Sequence, residues 1–186
     1  ALAHGRAARQ PGFQALINQG LRAVDDDAPE ASVTCARWLL NKKRILLAQV
    51  GVGTIDQALQ AALVVRHQFV RMFGLSRNVV IIDEVHAYDA YMEVLLEHLL
   101  RWLGALGVPV VLLSATLPSE RRAALASAWR GGHMQLAEDR VAAMAQDGLA
   151  IAQARPYPLV TVTSERGTST IALEAPGPSR TLRLEY

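Results

Sequence analysis

The sequence contains little cysteine and little net charge, and both shortages narrow the possible classes of protein. Cys35 is the single cysteine among 186 residues, which excludes an internal disulfide and fits a reducing compartment, so we expect a cytoplasmic protein. The formal net charge is only +2, so overall basicity is weak evidence for a nucleic-acid partner. Hydrophobic residues, in contrast, make up 51% of the chain, which is enough for one domain with a core.

The sequence also lacks an uninterrupted hydrophobic run long enough to cross a membrane. The longest apolar region, residues 94–117, is broken by charged residues, glycines and a proline. It therefore predicts a helix, a turn and a strand, and no membrane span. No secretory signal is visible at the start of the chain. The first residue is Ala and not Met, so we expect the chain to be part of a longer protein.

The central part of the sequence alternates between short apolar runs and helical patterns. Strands are predicted over residues 45–48, 79–83 and 110–113, and helices over residues 54–73, 91–103 and 118–132. Three strand–helix units with short links predict an α/β fold with a parallel sheet and right-handed crossovers. The strand over residues 79–83 has four successive apolar side chains, which predicts burial on both of its faces.

The remaining segments carry weaker patterns. Helices are predicted over residues 7–24 and around Cys35, and a turn over residues 51–53. Thr54 and Gln57 have the spacing of a capping box at the start of a helix. Beyond about Met134, a small helix over residues 139–146 and alternating segments at 159–163, 170–173 and 182–184 predict a short β-rich tail.

Two adjacent carboxylates and an imidazole mark the end of the second predicted strand. Asp83 and Glu84 lie at its carboxyl end, where open α/β sheets bind ligands, and His86 follows two residues later. Paired acids at this position suit nucleotide hydrolysis, in which one carboxylate holds the Mg²⁺ shell and the other orients the attacking water. The simpler alternative is that both acids cap the next helix, because acids favour helix N-termini.

Two other predicted strands bring polar groups to the same rim. Ser114-Ala115-Thr116 ends the third strand, and its hydroxyl groups are expected to hydrogen-bond His86, with an ordinary turn as the alternative. After the first strand comes a helix N-terminus, whose free N–H groups attract phosphate. The residues concerned are Gly53, Thr54 and Gln57, although the capping box alone would explain the last two.

These motifs resemble those of a known enzyme family. Asp83-Glu84-Val85-His86 resembles motif II of the superfamily 2 DExH helicases, and Ser114-Ala115-Thr116 resembles their motif III. Three longer stretches are similar to the CRISPR-associated helicase–nuclease of type I systems, which the Cascade surveillance complex recruits: VGTIDQAL at residues 52–59, DEVHAYDAYM at 83–92 and VVLLSATLP at 110–118. The resemblance implies an incomplete RecA-like fold of the P-loop NTPase type. Residues 1–135 would form part of the first RecA-like domain, and residues 136–186 would lead toward a second one.

The resemblance also implies cofactors, partners and roles. ATP and Mg²⁺ would be the cofactors, and single-stranded DNA and a Cascade-type complex the partners. By the family's pattern, Asp83 contacts Mg²⁺ through its water shell and Glu84 activates the hydrolytic water. His86, together with Ser114, Ala115 and Thr116, would couple the nucleotide state to the DNA. Gly53, Thr54 and Gln57 would contact the DNA backbone.

The phosphate-binding loop of such enzymes is missing from the sequence. No Gly-x-x-x-x-Gly-Lys-[Ser/Thr] occurs, although that loop supplies the N–H cradle and the lysine for the β- and γ-phosphates. By the resemblance it would lie upstream of Ala1, so we expect the isolated chain to hold ATP weakly and to be inactive alone. Two alternatives stay open: a DExH ATPase of another lineage that acts on RNA, and a helicase-like docking module without activity.

Overall fold

The computed structural model describes residues 2–3, 15, 45–148 and 157–174. The elements in chain order are β1 (Leu2–Ala3), a first 3₁₀ helix (Ile45–Leu47), β2 (Val52–Gly53), α1 (Ile55–Leu59), α2 (Gln68–Ser76), β3 (Val80–Ile82), a second 3₁₀ helix (Val85–Ala87), α3 (Ala90–Ala105), β4 (Val110–Leu112), α4 (Ser119–His133), α5 (Glu138–Asp147), β5 (Leu159–Ser164) and β6 (Gly167–Ala172). None of the helices within these ranges has the length and apolar character needed to cross a membrane. The helices predicted over residues 7–24 and around Cys35, and the strand predicted over 182–184, lie outside the described residues.

The parallel pair formed by β3 and β4 is the sheet that carries the candidate site. Residues 80–82 pair in register with residues 110–112, and α3 is the crossover helix between the two strands. The predicted strand–helix–strand unit over this part of the chain is therefore confirmed, and with it the α/β class.

Only one face of this sheet packs against the described helices. Val80 and Ile82 are buried, whereas Ile81 between them is 65% exposed. Successive side chains of a strand point to opposite faces, so the alternation shows which face meets the core. The prediction that this strand is buried on both faces is wrong for the part of the protein described.

Helix α3 supplies most of the core because its apolar residues recur at helical spacing. Leu96, Leu99, Leu100 and Leu103 are almost completely buried. Asp89 caps the helix, since its carboxylate accepts the Met92 N–H at 2.8 Å. The predicted amphipathic helix is confirmed, with its ends shifted slightly outward.

Helices α3 and α4 pack against each other over much of their length. Glycines allow the approach, because an added Cβ on Gly104 would lie 2.0 Å from the Trp129 carbonyl oxygen. At the other end of the contact, Arg121 of α4 forms ion pairs with Glu93 and Glu97 of α3. The helix predicted over residues 118–132 is thus confirmed as α4.

Two predictions for the chain before β3 are wrong. Residues 45–47 form a 3₁₀ helix, not a strand, and pack against α2. The single helix predicted over residues 54–73 is divided into α1 and α2 by turns and by His67, which has φ 67°. The division buries Leu59, Ala61 and Ala62 together, although positions 59 and 61 would point to opposite sides of one continuous helix.

The other described strands form two further pairs, β1 with β2 and β5 with β6. Residues 52–53 form β2, which pairs in parallel with β1, so the predicted turn at 51–53 is also wrong. Among the described residues, β2 does not pair with β3, and the three predicted strands do not form one sheet. In the tail, α5 and the antiparallel hairpin β5–β6 confirm the predicted helix and the first two predicted strands.

Candidate functional site

The hydrogen bonding between β3 and β4 becomes irregular at the carboxyl end of β3. The Leu113 N–H donates to the Ile82 carbonyl at 2.8 Å, as regular parallel pairing requires. The Leu113 carbonyl, however, accepts the N–H of Val85 at 3.1 Å, whereas regular pairing would give it the N–H of Glu84. One extra residue is therefore inserted opposite Leu113, as in a β-bulge, a feature that re-aims side chains next to active sites. Asp83 and Glu84 are left outside the pairing and exposed at the carboxyl edge of the sheet.

Glu84 adopts a left-handed backbone conformation at this point, with φ 55° and ψ 39°. Such a conformation is unfavourable for a residue with a Cβ and persists only where the surroundings hold it. Val85 supplies one anchor, because its side chain is buried beside the core. The Ala87 N–H supplies another by donating to the Glu84 carbonyl at 2.9 Å, which closes the short 3₁₀ helix.

His86 lies between Glu84 and the turn that follows β4. Its Nδ1 is 3.3 Å from Glu84 Oε2 and 3.3 Å from Ser114 Oγ. Ser114 donates its own hydroxyl proton to the Thr116 carbonyl at 2.9 Å, so its oxygen is left to accept from His86. Both neighbours of Nδ1 are therefore acceptors, and we assign the imidazole proton to Nδ1. The hydrogen bond expected between His86 and Ser114 is present, whereas Thr116 takes part through its carbonyl and not its hydroxyl.

Asp83 presents an exposed carboxylate at the carboxyl end of β3. Its Oδ1 accepts the Glu84 N–H at 2.8 Å, and the residue is exposed. In the part of the chain described, no three His, Cys, Asp or Glu side chains come together as metal ligands. Mg²⁺ usually keeps several waters and takes one or two carboxylates, so Asp83 fits a contact through water.

The alternative in which Asp83 and Glu84 cap the next helix is wrong. Asp89 is the residue that caps α3, with a side-chain hydrogen bond to the Met92 N–H. Glu84 stands before the second 3₁₀ helix without any side-chain capping bond. The two acids are therefore not explained by the needs of the helix that follows them.

Tyr88 is a member of the site that sequence reasoning missed. Its hydroxyl donates to the Asp83 carbonyl at 3.2 Å. Burial raises the pKa of the Tyr88 phenol above its usual value, and the negative charge of Asp83 raises it further. Tyr88 therefore keeps its proton at neutral pH and remains a donor. No spacing rule identifies this contact, because the bond reaches back across the 3₁₀ helix.

A cleft of about 600 Å³ adjoins the turn after β4. Its walls come from residues 114–117, α4 and β5, and they include Ser114, Thr116 and Trp129. The volume falls within the range of small-molecule sites. Ser114 and Thr116 therefore face this cleft, whereas Asp83, Glu84 and His86 are not among the described residues that line it.

Gly53, Thr54 and Gln57 are the last residues predicted to lie at this rim. Within the described residues, no hydrogen bond links them to Asp83, Glu84 or His86. The capping box is wrong, because Thr54 makes no side-chain cap and the Gln57 N–H donates to the Thr54 carbonyl at 3.1 Å. Since α1 has only five residues, its dipole is also a weaker attraction for phosphate than the predicted long helix would provide.

Comparison with known proteins finds similar sequences and similar structures among CRISPR-associated proteins. No protein-family model matches the chain. It is 45% identical over 134 residues to the CRISPR-associated endonuclease/helicase Cas3 of Thermus thermophilus, covering 72% of this chain and 15% of that protein. The structure of T. fusca Cas3 with AMPPNP matches with a TM-score of 0.61 and 44% identity, over 73% of this chain and 14% of that one. A chain of a pre-nicking CRISPR RNA-guided surveillance complex matches with a TM-score of 0.59 and 36% identity, over 83% of this chain and 17% of that one.

The likeness to these structures confirms the fold class. The parallel pair with its helices matches part of a RecA-like α/β domain. The chain spans about one seventh of the relatives that it matches.

Proposed function

We infer the function of this chain from its family, because the chain is homologous to one segment of the Cas3 endonuclease/helicases. We propose that it forms part of an ATP-driven motor of type I CRISPR interference that moves along single-stranded DNA. In this proposal a Cascade-type surveillance complex recruits the intact protein. Residues 1–135 belong to the first RecA-like domain, and residues 136–186 lead toward the second.

The observation that carries the proposal is the cluster at the end of β3. Two exposed acids leave the strand pairing, and the second of them contacts an imidazole that also contacts the turn after the neighbouring strand. Nucleotide hydrolysis needs a cation holder and a group that orients water, and a motor also needs a connection from these to a moving part. The cluster contains a candidate for each.

The proposed roles follow from the contacts of each side chain. Asp83 holds the water shell of Mg²⁺, which when bound neutralises charge on the phosphates. Glu84 orients and polarises the attacking water. His86, through Ser114 and the Thr116 carbonyl, transmits a change at Glu84 to the turn after β4.

ATP as the nucleotide is supported by the relatives. T. fusca Cas3 has been solved with AMPPNP and with ADP. A phosphate-binding loop elsewhere in the intact protein would supply the cradle that this sequence lacks. A DNA-backbone contact by Gly53, Thr54 and Gln57 rests on the resemblance of their motif alone.

The test is to change each acid to its amide in the full-length protein proposed to carry this segment. Asp83→Asn and Glu84→Gln should each reduce DNA-stimulated ATP turnover by roughly 10²–10⁴-fold, because each removes a charge needed in the transition state. Matched controls are Asp139→Asn and Glu120→Gln, which change exposed acids at the starts of α5 and α4. The controls should keep turnover within about twofold.

Turnover near wild type in either test variant would refute the role assigned to that acid. Stimulation by RNA, without stimulation by single-stranded DNA, would assign the chain to a DExH ATPase of another lineage. Absence of hydrolysis by the intact wild-type protein would leave a docking module as the function.

A further inference from the structure

The peptide unit between Asp83 and Glu84 is held by side chains on both of its polar atoms. Its N–H donates to Asp83 Oδ1 at 2.8 Å, and its carbonyl accepts the Tyr88 hydroxyl at 3.2 Å. The strand ladder does not hold this unit, because Leu113 pairs with Ile82 and Val85 on either side of it. The orientation of this peptide therefore depends on two side chains rather than on the sheet.

The same peptide plane sets the φ of Glu84 and with it the direction of the Cα–Cβ bond from which the carboxylate extends. Glu84 is in the left-handed region, and a flip of the peptide before it would change its φ and move its Cβ. Backbone strain of this kind persists only where the surroundings over-determine it. Tyr88 is half-buried and keeps its proton, so it is a permanent donor to the Asp83 carbonyl.

We propose that Tyr88 is a positioning residue for the hydrolytic reaction, which holds the Asp83–Glu84 peptide so that the Glu84 carboxylate stays beside His86. This inference rests on the proposed function, because it assigns Tyr88 to the geometry of the same site. A positioning residue of this kind does not itself contact the reacting atoms. It acts only through the peptide that it holds.

The test compares Tyr88→Phe with Tyr91→Phe in the full-length protein. Tyr91 loses the same hydroxyl three residues further along, where the side chain is 66% exposed on α3. Tyr88→Phe should lower kcat for ATP about 10- to 100-fold with KM changed less than about twofold, because a small displacement of a catalytic group reduces the rate more than it reduces binding. Tyr91→Phe should leave both constants unchanged.

A double variant separates positioning from a general effect on folding. If Tyr88 acts through Glu84, Tyr88→Phe should reduce kcat no further when Glu84 is already Gln, because the position of a side chain without function has no effect on rate. An additive loss in the double variant would overturn the proposal, as would a normal kcat in Tyr88→Phe. Failure of the proposed function is recognised separately, since Glu84→Gln would then retain turnover.

Discussion

At the scale of single residues, two of the three described non-glycine residues with a left-handed backbone, Glu84 and Gln135, have different explanations. Gln135 has φ 54° and follows α4, where its N–H donates to the Gly132 carbonyl and the Leu136 N–H donates to the Gly131 carbonyl. These two bonds form a Schellman motif, which terminates helices with a left-handed residue. Glu84 has φ 55° without any helix to terminate, and it lies in the candidate site. Strain at Gln135 is structural, whereas strain at Glu84 is expected to serve function.

Replacing Gln135 by glycine should therefore stabilise the chain. Glycine adopts the left-handed region without a Cβ penalty, so Gln135→Gly should raise the free energy of unfolding by about 0.5–1 kcal/mol after the entropy of the unfolded chain is counted. The matched control is Gln57→Gly inside α1, which should lower that free energy by about 0.5–1 kcal/mol. Urea unfolding followed by circular dichroism measures both, and destabilisation by Gln135→Gly would contradict the Schellman assignment.

At the scale of elements, the contact between α3 and α4 depends on the absence of side chains. An added Cβ would lie 2.0 Å from a carbonyl oxygen at Gly104 and 1.9 Å from one at Gly132. Both oxygens belong to the opposite helix, at Trp129 and Arg101 respectively, so they move only if the helices separate. The same contact seats His133, whose Nδ1 is 3.2 Å from the Gly104 carbonyl oxygen.

Gly104→Ala should accordingly separate the two helices and destabilise the chain by about 2–3 kcal/mol, the upper part of the range for overpacking a core. Gly107→Ala provides the comparison, because its Cβ would meet nothing within 4 Å and only its φ of 67° is unfavourable. That variant should lose about 1 kcal/mol. Thermal unfolding compares the stability of the two variants. Equal losses of stability would show that the close contact between α3 and α4 does not determine the effect of Gly104→Ala.

At the scale of the whole molecule, the β3–β4 sheet leaves one apolar face uncovered by the described residues. Val79, Ile81, Val111 and Leu113 are each more than 40% exposed. Parallel sheets are normally covered on both faces, and an exposed apolar patch on a short sheet favours association. We therefore expect the isolated 186-residue chain to self-associate through this face.

Two neighbouring isoleucines test this expectation with one substitution. Ile81→Thr, on the uncovered face, should reduce self-association in sedimentation velocity and change the free energy of unfolding by less than about 0.5 kcal/mol. Ile82→Thr, at 4% exposure, should lower the free energy of unfolding by about 2–4 kcal/mol, because it leaves a cavity and buries a hydroxyl. An associating Ile81→Thr variant would show that another surface holds the copies together.

The sequence by itself determined the elements whose signals are local. The leucine spacing of α3, the β-branched run of β3 and the alternation in β5 and β6 each depend on near neighbours in the chain, so the pattern was sufficient. The pair Asp83 and Glu84 and the hydroxyl turn at Ser114 were visible for the same reason. Their position at strand ends suggested nucleotide hydrolysis, and the resemblance assigned a separate role to each residue.

Only the tertiary structure decided the features that depend on distant contacts. Burial of Leu59, Ala61 and Ala62 together divided a helix that local propensity favoured as continuous. The residue inserted opposite Leu113 and the left-handed Glu84 arise where β3 meets β4, about 30 residues further along the chain. A periodic pattern records which side of an element is apolar, but it does not record which strand will lie beside it.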